Sequence, residues 1–68
     1  AEQARLIAEV AEARKQRGIS QSQLESMTGV RQPVIARMET GASAPRLDTL
    51  MKVLAPLGKT LRVVDIAN

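Results

Sequence analysis

Apolar residues recur along this chain at helical spacing as far as residue 58, and then the pattern changes. Leu6, Ile7, Val10, Ala13, Arg14 and Arg17 fall at i, i+1, i+4, i+7, i+8 and i+11, which predicts one amphipathic helix over about residues 4–17, stopped at Gly18. Arg14 sits on the apolar side of that stripe, where an unpaired charge is costly, so it needs a partner. Ser20 and Gln23 have the spacing of a capping box and open a second helix. That helix turns Leu24 inward and ends at Thr28-Gly29, where glycine can take the left-handed conformation that stops a helix. A third helix starts near Gln32-Pro33, because proline is tolerated in a first helical turn, and closes at Thr40-Gly41. Ile35 and Met38 face the core, while Pro33, Val34 and Arg37 form an outward strip. Residues 41–45 are a loop by composition. Leu47, Leu50, Met51, Leu54 and Leu57 mark a fourth helix, whose last turn Pro56 bends or ends before Gly58.

The tail, residues 60–66, is rich in β-branched residues and reads as a strand. No second strand is predicted, and a lone strand leaves its backbone groups unpaired. It is therefore expected to pair with a copy of itself across a two-fold axis. The domain reading follows: residues 1–58 form a helical domain, and residues 59–68 a dimerisation strand, with Leu57, Leu61, Val63, Val64 and Ile66 as its apolar contacts.

Composition narrows the function. The chain has 68 residues, so it is one domain with a small core. It contains no cysteine and no histidine, which removes disulfides, thiolate chemistry, the usual zinc sites and the usual neutral-pH base, and fits a reducing cytoplasm. It contains no aromatic residue, which argues against single-strand recognition by base stacking. Glu2, Glu9, Glu12, Asp48 and Asp65 form no paired arrangement for acid–base work, so no enzyme, metal or cofactor is expected. No apolar run approaches the roughly 20 residues that span a bilayer, and no secretory signal is visible. The chain begins at Ala1 rather than methionine, leaving room for residues ahead of it. Net charge is +3. Arg14, Lys15, Arg17, Arg31, Arg37 and Arg46 cluster in the middle of the chain against only Glu25 and Glu39. Such a bias is the footprint of a phosphate-binding surface, although an ordinary solvated surface has the same composition.

Two short helices joined tightly at Gly29 are the geometry that lays one helix into the major groove of DNA. With Gln21, Leu24, Gly29-Val30, Ile35, Met38, Glu39, Gly41, Pro45 and the Leu50, Leu54, Leu57-Gly58 pattern, residues 6–58 resemble the Cro/cI-type (XRE-type) helix-turn-helix family. The tail resembles that of HipB-type antitoxins, in which a C-terminal strand pairs across a dimer. The resemblance implies an all-α, lambda-repressor-like domain of four to five helices with a C-terminal β-strand in a homodimer. It also implies an internal ion pair between Arg14 and Glu39. By position, Gln21 and Arg31 would contact phosphate, and Gln32 a base edge or phosphate. Pro33, Val34 and Arg37 would read bases, and Ser43 and Arg46 would touch the backbone beyond the third helix. Two residues depart from the family pattern. Glu25 replaces a usual alanine between the second and third helices, and its carboxylate must reach solvent or an arginine. Pro33 can offer a base only apolar contact, such as with a thymine methyl, which leaves Arg37 as the best specific reader.

The function expected is sequence-specific binding of a double-stranded DNA operator by a cytoplasmic homodimer that represses transcription. The alternative is an antitoxin whose main partner is a cognate toxin protein. A membrane-surface role is a distant third, because no segment pairs a lysine-rich face with bulky aromatics.

Overall fold

A computed structural model describes residues 2–66 of the chain. Residues 1, 67 and 68, the last two of which end the expected dimerisation segment, lie outside the described residues. Four α-helices follow one another: α1 (Glu2–Gln16), α2 (Gln21–Thr28), α3 (Gln32–Glu39) and α4 (Leu47–Leu54), the last running into a 3₁₀ turn, Ala55–Leu57. The fold class is all-α. The local signals act where the residue pattern places them. Ser20 accepts from the Gln23 amide while the Gln23 side chain accepts from the Ser20 amide, closing the capping box at both ends. Gly29 takes the left-handed conformation (φ 78°) that ends α2 and turns the chain towards α3. At the end of α3 the Ala42 amide reaches back to the Arg37 carbonyl at 3.0 Å, a six-residue closure that Gly41 at φ 75° permits.

One apolar core joins all four helices. Ile7 and Val10 come from α1, Leu24 from α2, Ile35 and Met38 from α3, and Leu50, Val53, Leu54 and Leu57 from α4 and its 3₁₀ turn. Several expectations are corrected by this packing. Leu47 and Met51 are 68 % and 40 % exposed, and Val53 is fully buried in their stead. The buried arc of α4 centres on Leu50, Val53, Leu54 and Leu57. Met51 lies about 100° around the helix from Leu50, on the flank of that arc, and Leu47 stands at its solvent end. Arg17 also leaves its stripe. It is exposed beyond the end of α1 and reaches across to Gly58, where one guanidinium nitrogen lies 3.0 Å from the place a Cβ would occupy.

Leu57, expected at a dimer contact, is fully buried within the single chain. It belongs to the core because the 3₁₀ turn at Pro56 tucks it under α4, so it offers no surface to a second copy. Beyond Gly58, no strand forms among described residues 59–66. Leu61 folds back as a half-buried residue against the core, whereas Val63, Val64 and Ile66 are exposed. Strand structure requires a hydrogen-bonded neighbour, and the described residues supply none.

Candidate nucleic-acid interface

The outward row on α3 is set by how α3 is anchored. Ile35 and Met38 are its buried residues, and these two side chains fix the rotation of the helix. Pro33, Val34 and Arg37 therefore emerge on the opposite side, all three exposed, with Val34 46 % exposed and Arg37 unobstructed by the chain itself. Arg31 precedes the helix in an extended conformation (φ −64°, ψ 141°) and is exposed as well. Gln32, one residue later, is already helical and half-buried.

Arg31 cannot cap α3, since a guanidinium has no acceptor. The missing acceptor comes from α2: Glu25 Oε1 receives the Gln32 backbone N–H at 3.0 Å. Its partner is thus neither solvent nor an arginine, as expected from the residues, but a free amide at the positive end of a helix, where a carboxylate is stabilising. The substitution of glutamate for the family's alanine ties the two helices together. The signal for this was a helix start at Gln32-Pro33 with no Ser, Thr, Asp or Asn before it.

Behind α3 lies a continuous polar chain. Arg14 donates from Nε to Glu39 Oε2 at 2.7 Å and from Nη2 to Oε1 at 2.9 Å, while its Nη1 donates to the Ile19 carbonyl at 2.7 Å. Both side chains are largely shielded from water, at 10 % and 7 % exposed. Gln21 Nε2 donates to the same carboxylate at 2.9 Å, and Gln32 Nε2 donates to Gln21 Oε1 at 2.7 Å. Burial by itself would push the Glu39 carboxyl up, but the hydrogen bonds from Arg14 and Gln21 and the charges of Arg14 and Lys15 outweigh it and hold the group below the ordinary glutamate range. Arg14 is correspondingly held above its ordinary value, chiefly by its hydrogen bond to Glu39. Among the described residues, no buried side-chain nitrogen or oxygen lacks a partner.

The structure thus brings Gln21 and Gln32 into contact at one end of the α3 row. Ser43 is exposed in the loop after α3, beside Glu39, Thr40 and Gly41 in a groove bordered by the first turns of α1. Arg46 is exposed at the start of α4 and pairs with Asp48 at 3.1 Å. That hydrogen bond and one from the Thr49 amide draw the Asp48 carboxyl down. Such an open pair is weak and can exchange its carboxylate for a phosphate. Among the described residues, no group of acidic side chains could hold a metal ion, and no helix is long and apolar enough to cross a membrane.

With this geometry in view, the comparisons with known proteins define the class. A helix-turn-helix family profile matches residues 10–64, and the chain belongs to that helix-turn-helix family, of the XRE type its residue pattern resembles. It is 57 % identical over 61 residues to an uncharacterized HTH-type transcriptional regulator of Haemophilus influenzae, the match covering 90 % of this chain and 62 % of that protein. The chain therefore spans less than two thirds of that relative's length. It is also similar to a solved chain of a toxin–antitoxin module from Streptococcus pneumoniae, with a TM-score of 0.81, 57 % identity, and coverage of 97 % of this chain and 72 % of that one.

Proposed function

We propose that this chain is a sequence-specific DNA-binding regulator of transcription that acts as a homodimer, with repression as its consequence. One observation carries the reading: Pro33, Val34 and Arg37 stand uncovered in a row on a short helix whose opposite face is locked into the core by Ile35 and Met38. In this reading α3 enters the major groove. Arg37 reads guanine through its two-pronged guanidinium, Val34 and Pro33 make apolar contact, and Gln32 meets a base edge. Gln21, Arg31, Ser43 and Arg46 hold the phosphate backbone and set the register. The exposed Val63, Val64 and Ile66 pair with the same segment of a second copy, with Leu61 at the root of that strand. Two α3 helices would then meet successive major grooves roughly 34 Å apart. Residues 1–58 are the DNA-binding unit, and residues 59–68 the dimerisation segment.

The test is selection of bound sequences from a random duplex library. The expected result is an enriched pseudo-palindrome whose affinity falls steeply with salt and whose base preference at one position is abolished in Arg37→Ala. Absence of any enriched sequence would overturn the reading. A second role, binding and neutralising a toxin protein, is favoured by similarity to the pneumococcal toxin–antitoxin chain. It predicts tight binding to a toxin encoded beside this chain that survives Arg37→Ala.

A further inference from the structure

A primary amide has an accepting end and a donating end, so a row of glutamines joined by hydrogen bonds has a direction. Here the direction is imposed from the buried end. Glu39 is an ionised carboxylate held by Arg14 and can only accept, so the end of Gln21 lying 2.9 Å from it must be Nε2. Gln21 Oε1 then faces Gln32 and can only accept, so Gln32 turns its own Nε2 inward at 2.7 Å. Gln32 is left with its Oε1 and its second amide hydrogen, neither of which has a partner among the described residues.

We propose that Glu39 is a positioning residue for base readout: by fixing the amide of Gln21 it fixes the amide of Gln32, and so selects adenine over guanine at the base that Gln32 meets. This rests on α3 entering the major groove. Adenine presents one acceptor, N7, and one donor, the N6 amine, matching the two groups Gln32 has left. Guanine presents two acceptors, N7 and O6, and gives Gln32 Oε1 nothing to accept. Replacing the carboxylate by an amide removes that constraint. Glu39 Oε1 accepts from both Arg14 and Gln21 while Oε2 accepts from Arg14 alone, so in Glu39→Gln the new NH2 group faces an Arg14 donor whichever way the amide turns, and neither direction is imposed. Gln21 can then turn either end towards Gln32, which presents either the pattern for adenine or, with both amide hydrogens outward, the pattern for guanine.

The experiment uses the full chain and the duplex selected for it, with the base pair read by Gln32 identified as the one whose preference vanishes in Gln32→Ala. Dissociation constants are compared for duplexes carrying adenine or guanine at that position. The unaltered chain is expected to favour adenine by about tenfold, and Glu39→Gln to bring that preference towards one. Gln21→Met breaks the row while leaving Arg14 and Glu39 paired, and is expected to bring the ratio close to one while weakening both complexes. Arg14→Lys perturbs the same ion pair but keeps the carboxylate, so it is expected to retain the adenine preference, which separates polarity from lost stability. Failure of the unaltered chain to select any duplex overturns the DNA-binding reading and this inference with it. Selective binding with a guanine preference in the unaltered chain overturns the inference alone. So does an unchanged ratio in Glu39→Gln or, where that variant does not fold, in Gln21→Met.

Discussion

Arg14 and Glu39 show how a charged residue earns a place beside an apolar core. Two parallel hydrogen bonds join the guanidinium to the carboxylate, and a third satisfies the remaining arginine nitrogen on the Ile19 carbonyl. A buried pair with every group satisfied offsets its own desolvation, but removing one partner strands the other and costs about 3–5 kcal/mol. Arg14→Met is therefore expected to lower the thermal midpoint sharply, measured by circular dichroism. The pair also makes stability depend on pH. Glu39 is held below the ordinary glutamate value of about 4.3. Its contribution is complete above that value and is lost as pH falls through the lower, folded-state value. Acidification below about pH 4.5 should thus depress the midpoint, and Glu39→Gln should flatten that fall while starting from a lower midpoint. An equal acid slope in both proteins would remove Glu39 from this role.

At the scale of the element, α3 holds only eight residues and starts without a capping side chain of its own. Isolated helices of that length do not persist in water, so its first turn depends on Glu25 of α2. Glu25→Ala restores the residue the family pattern usually has. It is nonetheless expected to destabilise this chain by about 1 kcal/mol, the usual effect of losing a cap. Hydrogen exchange checks the mechanism: the Gln32 amide should lose protection before the amides of α1 do. Unchanged protection there would show that the Glu25 contact does not hold the helix start. The helices were legible in the residues, whereas the strand expected over residues 60–66 does not form among the described residues. The Ser20–Gln23 box, the stops at Gly29 and Gly41 and the break at Pro56 are local signals that need only their neighbours along the chain. The partner of Glu25 was not legible, because it lies on another helix.

For the whole molecule, the tail is where exposed apolar residues gather. Val63, Val64 and Ile66 stand exposed close together along the chain. A second copy that pairs this segment would bury them and complete the backbone hydrogen bonds of both strands. Val63→Pro removes one such donor and is expected to yield monomers in sedimentation equilibrium while leaving the helical signal intact. It should also weaken duplex binding, because two linked half-sites give way to one. An unchanged sedimentation mass would end the proposal of two-fold strand pairing. Leu57 marks the limit of reading such a surface from pattern alone. It is apolar, like its neighbours in the tail, yet the 3₁₀ turn carries it into the core.

Residue order alone fixed the presence of the four helices, the stops at Gly29 and Gly41 and the inward residues of α3, because periodicity, capping and left-handed glycines act over a few bonds. Tertiary structure alone decided which flank of α4 met water, where Leu57 went, and how Glu25 and Gln21 were used. Those outcomes depend on hydrogen bonds and packing between segments far apart along the chain, and only the folded arrangement sets those distances.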